Sequence, residues 1–498
     1  MPKFSEAIDD ATPLTGARID VAARIGWLLR AHRTVAGVSL RQMSAALEEH
    51  GVSVSASTLS RMESEGQRSD ATFRGYARVL GLPDGILRSG VNSLCRSFPY
   101  APPASPEATP RCLESFSRSY EAIDTSSTPS AGAWLEFARQ HAREDGFGLP
   151  RSLMEPVVNR LANEVGRGVA SARFIRHEAL GVLVGSVYGD VVGAVLRAAV
   201  EDPDHQNFYD LTSAISDRPS LDLMHWAGDL LRSPSTFQAR GASYVLHGML
   251  VGGGLSARDW MELVAHLDRA WEELGGDPTR ATMLAEVAGA LPPDVQARLR
   301  GVEPAPPRPS VTWSLSRHNV HYAFAVSIAR AACVRRGHAE EPLLARLLFE
   351  SFFEPRGVRM AMASLVLAHS PFAGDLTHVI LEARDACPDL GTRSAALRVA
   401  ALCHTGEDVA GVDALLETGD PADFAHATTI IGRSGQSLPP RALERGLAGD
   451  ETTVRHTLYC LGMAGDARLP GIAADPSRPS STRRAADWWV AQGSRILA

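Results

Sequence analysis

Residues 38–66, VSLRQMSAALEEHGVSVSASTLSRMESEG, decide how the amino-terminal region of this chain folds. Leu40, Met43, Ala46 and Leu47 recur at helical spacing and predict one apolar stripe, with Arg41 and Gln42 on the opposite face. A second helix is expected after Ser55, whose hydroxyl can accept a hydrogen bond from an orphan amide of the first turn. Leu59 and Met62 form its buried side, which leaves Ala56, Ser57, Thr58, Ser60 and Arg61 facing outward. Small hydroxyls at the start of an exposed helix permit close approach, and a guanidinium bonds base edges or phosphates. The pattern therefore predicts a helix that lodges in the major groove of duplex DNA.

The flanking segments agree. IDVAARIGWLLRAHRTVAG (19–37) predicts a helix with Ile25, Leu28 and Leu29 inward and Arg24, Arg30 and Arg33 exposed, and a further helix is expected around 71–80. Together with Ser39-Leu40-Arg41-Gln42-Met43 and Ser57-Thr58-Leu59-Ser60-Arg61-Met62-Glu63, residues 18–90 resemble the Cro-type, or XRE, helix-turn-helix family. The resemblance implies a five-helix DNA-binding domain that works as a homodimer on a double-stranded operator. EEHGVSV makes the turn between the two central helices longer than the compact family form. Candidate DNA contacts are Ser55, Ala56, Ser57, Thr58, Ser60 and Arg61 in the groove, and Arg41, Gln42 and Arg68 on flanking phosphates. The bland alternative is a helical bundle with no nucleic-acid partner, since hydroxyl-rich helix starts are common caps.

Between residues 17 and 95 ten arginines face seven carboxylates, leaving +3, whereas the whole chain carries −7. A basic head on an acidic body suits a protein that touches DNA through one end. Lys3 is the only lysine; with abundant Ala, Gly and Pro, that bias points to a high-GC bacterial genome of the actinobacterial kind and says nothing about DNA affinity. Six cysteines without a C-x-x-C pair suggest neither zinc nor a disulfide framework. The first residues lack an apolar signal core, so the expected location is the cytoplasm, nucleoid-associated when DNA is bound. ALGVLVGSVYGDVVGAVL (179–196) approaches spanning length, but a charge at Asp190 argues for a buried helix packed through Gly181, Gly185, Gly189 and Gly193, and for no membrane partner.

The expected organisation is all-α: a flexible stretch over 1–17, the helix-turn-helix domain over 18–95, and a Pro/Ser-rich linker over 96–132 that lets the head move. A helical domain over 133–300, a Pro-rich break over 301–312 and HEAT-like repeats over 313–498 complete it. The repeats are read from helices starting at Thr392, Ala422, Thr453 and Thr482, with a fainter copy near Val358, and predict an α-solenoid with an open concave surface. Trp488 and Trp489 are expected to seal its last repeat.

Chemistry-bearing motifs are wanting. His318 and His321, or His404, His426 and His456, lack the acidic or thiol partners of a metal site, and Gly252-Gly253-Gly254 lacks the lysine of a phosphate loop. No enzyme, cofactor or metal is therefore expected. The reading is a DNA-binding transcriptional regulator, most simply a repressor. Two alternatives give the body a peptide or small-molecule effector, or make the protein a DNA-binding antitoxin or scaffold holding a protein partner.

Overall fold

The computed structural model describes residues 9–16, 18–66, 69–98, 100, 113–142, 148–305, 314–418 and 420–498. Among them the fold is all-α, and β pairing is limited to one bridge between Gly168 and Ile496. The head comprises α1 (Val21–Val35), α2 (Leu40–Glu49), α3 (Ala56–Glu65), α4 (Asp70–Val79) and α5 (Ile86–Ser97). Asp20, Ser39, Ser55 and Ser69 cap the first four, each side chain accepting from an amide of the first turn.

The head does not swing on a linker; it is docked. α5 packs against the Ser171–Val184 and Gly357–His369 helices, where Glu178 accepts from Arg96 and Asn92 and the Ser89 hydroxyl meets His369 Nε2 at 3.0 Å. α1 is buried along nearly its whole length, and Trp27 reaches Glu341 and stacks on Phe372. The expected exposure of Arg24, Arg30 and Arg33 is thus corrected. Arg24 bonds Asp10 at 2.9 Å and Glu350 at 2.7 Å, Arg30 lies 3.9 Å from Glu341, and Arg33 is paired with Glu63. Apolar contact with the body fills the surface that an isolated head would give to water; body carboxylates compensate Arg24 and Arg30, and Glu63 of the head compensates Arg33.

The same network ties down part of the stretch expected to be flexible. Asp10 is fully buried and Leu14 nearly so, while Arg346, Arg356 and Arg359 bond carbonyls of residues 12–18. Within the expected linker, Leu113–Asp124 is a helix whose Phe116 and Ile123 are buried, with Phe116 against His141; residues 101–112 lie outside the described residues.

The apolar run over 179–196 is two helices, Ser171–Val184 and Gly189–Glu201, parted by a turn at 185–188. The four glycines therefore do not share one helical groove, and Asp190 is exposed and bonded to Arg218 at 2.9 Å. No helix among the described residues is long and apolar enough to cross a membrane.

The predicted repeats are the Leu390–Cys403, Pro421–Ser434, Glu451–Ala464 and Ser480–Gln492 helices, with Gly357–His369 as the fainter copy. Asp389, Asp420 and Asp450 cap the first three in the same way, and short helices alternate with them. Each long helix stacks on the next, which is solenoid packing. Its end is not open, however. Val169 N–H bonds the Ile496 carbonyl, Ile496 N–H bonds the Arg167 carbonyl, the Arg167 side chain bonds the Gln492 carbonyl, and the Trp488 ring lies tilted against His205, so the last repeat closes onto the first half of the body. Trp489 is buried beneath it, so close to Gly462 that a Cβ there would lie 1.9 Å from the indole.

Candidate nucleic-acid interface

α2 ends in a Schellman turn: Val52 N–H bonds the Leu47 carbonyl, Gly51 N–H bonds that of Glu48, and Gly51 adopts φ +77°. Residues 50–55 then carry the chain to α3, and Ser44 Oγ holds the Val54 carbonyl at 2.6 Å. The long turn is therefore a fixed connection, built from one glycine and one side-chain bond.

α3 divides as the sequence predicts. Leu59 and Met62 are buried, and Ser55, Ser57, Ser60 and Arg61 are exposed. Ala56 and Thr58 are half-buried, and the Thr58 hydroxyl lies 3.0 Å from Ser55 Oγ, which also meets Ser57 Oγ at 2.9 Å. A three-hydroxyl cluster thus sits at the helix start. Arg41 and Gln42 are exposed at the start of α2, but Gln42 Oε1 accepts from the Ser39 amide in a capping box, so only its NH2 is left to donate outward. Arg68 lies outside the described residues.

The sequence reading missed what holds α3 in place. Glu63, four residues after Leu59, is buried and accepts from Arg33 through two bonds of 2.6 Å and from the Tyr76 hydroxyl at 3.0 Å. Burial raises the Tyr76 hydroxyl well above its ordinary range, and the neighbouring Glu63 carboxylate adds to the rise. Burial opposes the charge on Arg33, but Glu63 outweighs it and holds that guanidinium above its usual value. The signal was a carboxylate standing in the apolar stripe of a helix.

α1 and α3 cross at Gly26, where a Cβ would lie 2.0 Å from the Glu63 carbonyl oxygen. Backbone cannot yield as a flexible side chain can. Gly26→Ala is expected to destabilise the protein by about 1–3 kcal/mol, as overpacking generally does. A urea melt that matches the parent would remove this contact from the account.

Burial also corrects the charge reading. Among the described residues of the head, Arg24, Arg30, Arg33 and Arg88 are internal and Arg96 is paired with Glu178 of the body, which leaves Arg18, Arg41, Arg61 and Arg78 exposed and Arg74 half-buried. Exposed Glu48, Glu49, Glu65 and Asp84 stand on the same domain. The head surface is nearly balanced, and the +3 of the sequence is spent largely on internal pairs.

Among the described residues no three His, Cys, Asp or Glu side chains converge as a metal site would need. Burial raises the Cys333 and Cys387 thiols to about 11 and Cys403 to about 12, which suppresses the nucleophilic thiolate. No protein-family model matches this chain, and no curated protein matches it in sequence.

Proposed function

We propose that this protein is a sequence-specific DNA-binding transcriptional regulator of the XRE kind, acting as a homodimer and most simply as a repressor. The observation that carries the reading is α3: Ser57, Ser60 and Arg61 are exposed on a helix whose other side is locked by Leu59, Met62 and the Arg33–Glu63–Tyr76 group. A rigid helix with short hydroxylated side chains and one guanidinium is what close approach to base edges requires. Two such helices about 34 Å apart read a palindromic site with half-sites one helical turn apart.

Genome-wide footprinting in the native host tests the reading directly, and the expected outcome is a palindromic motif. Arg61→Ala is then expected to cost about 1–3 kcal/mol at one base position of that motif, read by anisotropy titration against single-base variants. Footprints without a motif would overturn the regulator reading, and an unaltered base preference would remove Arg61 from the reading set. Arg18, Arg41, Arg61, Arg74 and Arg78, the exposed or half-exposed arginines of each described head that are not paired with the body, also limit the phosphate contacts, at a slope of about −0.9 in log K per log salt for each.

A further inference from the structure

Where the closing repeats meet the first half of the body, a part-enclosed pocket of about 130 Å³ gathers four guanidiniums: Arg173, Arg240, Arg433 and Arg455. They come from four different helices, so chain neighbourhood does not explain their meeting. Two carboxylates answer them. Asp210 accepts from Arg173 at 3.0 Å, and Glu451 stands 3.6 Å from Arg455.

Neither of the other two has a carboxylate within ion-pair distance among the described residues, although Arg240 acts at longer range on Asp450. Arg433 gives one nitrogen to the Tyr459 hydroxyl at 3.2 Å and another to the Ala401 carbonyl. Arg240 is half-buried and has no hydrogen-bond or ion-pair partner there at all. Arg455 lies 3.9 Å over the Phe237 ring and bonds the Pro203 carbonyl at 2.7 Å, so it is held facing this junction. Arg240 and Arg433 are thus not neutralised by direct contact, and an anion between them would complete guanidiniums that no carboxylate touches.

Arg240 also lines a second, larger pocket of about 430 Å³, with Tyr244, Met283 and Glu286. Tyr209 of the first pocket and Tyr244 of the second have ring centroids 5.3 Å apart and form an aromatic wall between them. The first pocket fits a compact anion; the second fits a ring or apolar body attached to it.

We infer that the body binds a small phosphorylated molecule, its phosphoryl group held by Arg240, Arg433 and Arg455 and its uncharged part against the Tyr209–Tyr244 wall. Guanidiniums match phosphoryl oxygens in geometry and charge, and the Thr452 hydroxyl adds a neutral donor, whereas that of Thr429 is already given to the Ala425 carbonyl. His456, which burial and then Arg240 push down to about 4, is neutral at ordinary pH and contributes no charge of its own. The inference rests on the body alone and stands or falls separately from DNA binding.

Isothermal titration of the full-length protein with inorganic phosphate, pyrophosphate and adenosine 5′-monophosphate, with adenosine as the uncharged control, tests it without DNA. Saturable binding of at least one anionic probe is expected, and none of adenosine. Arg240→Met should weaken that binding about tenfold to a hundredfold, the range for a bond to a charged group, with little change in melting temperature, because Arg240 makes no hydrogen bond or close ion pair among the described residues and acts on Asp450 only at longer range. Arg433→Met should weaken it too, whereas Arg484→Met, at an exposed pair with Asp204, should not. No heat of binding from any anionic probe, or binding that survives both Arg240→Met and Arg433→Met, would overturn the inference.

Discussion

Acidification from neutral pH to about pH 5 is expected to unfold this protein, with an uptake of several protons. Six histidines, His32, His205, His369, His404, His426 and His456, are pushed down to about 4, in every case chiefly by burial. In the unfolded chain each titrates near 6.5, so between the two values the unfolded state holds more protons. Stability is therefore full above about pH 6.5 and is lost as pH falls toward 4. Each neutral histidine gives up roughly 2 kcal/mol by about pH 5, and the sum is comparable to the whole stability of an ordinary domain, about 5–15 kcal/mol.

Two groups act the other way. Glu341 and Asp217 are raised by burial, against the pull of Arg30 and Arg96 respectively, and so add stability as pH falls. Two carboxyls do not offset six imidazoles. Asp10 and Glu350 are also opposed by burial, yet Arg24 and its neighbours prevail and hold both below the ordinary carboxylate range. Their contribution is lost only at lower pH, after the histidines have titrated. Circular dichroism and tryptophan fluorescence followed from pH 8 downward should show a transition centred above about pH 4.5. A fold intact below about pH 4 would contradict the burial assigned to these rings. His32 and His369 join head to body, His32 Nε2 lying 2.8 Å from the His369 carbonyl, so the docking seam is among the first structures to loosen.

Features written in neighbouring residues were legible in the sequence. Ser55 announces α3, Leu40, Met43 and Leu47 mark the stripe of α2, Leu59 and Met62 assign the faces of α3, and small residues before apolar runs mark the repeats. Features that need a distant partner were not. Helical periodicity sends Arg24, Arg30 and Arg33 to solvent, because nothing nearby in sequence says that Glu341 and Glu350 will cover two of them. The return of Ile496 onto Val169 is of the same kind, a contact across more than three hundred residues. The pocket arginines were invisible for that reason as well. Over 179–196 the failure was local, since apolar residues on both sides of a turn read as one run.

Arg33→Met is expected to be the most damaging single substitution in the head. It removes both 2.6 Å bonds to Glu63 and leaves that carboxylate buried with only the Tyr76 hydroxyl, a loss of about 3–5 kcal/mol for a broken internal pair. Arg24→Met should cost less, although Arg24 is fully buried, because Glu350 keeps Arg359 at 2.7 Å and Arg346 at 3.1 Å. That order separates compensation by a network from compensation by a pair, and chemical denaturation of the two variants measures it. The double variant Arg33→Met with Glu63→Leu should recover most of the loss, since replacing a whole internal ion pair by apolar groups is often neutral. Under the proposed regulator reading, DNA binding gives the second readout. Arg33 and Glu63 face inward, so the double variant should bind the operator like the parent wherever it is folded. A folded double variant that no longer bound DNA would mean that the pair sets the angle of α3, and not merely its stability.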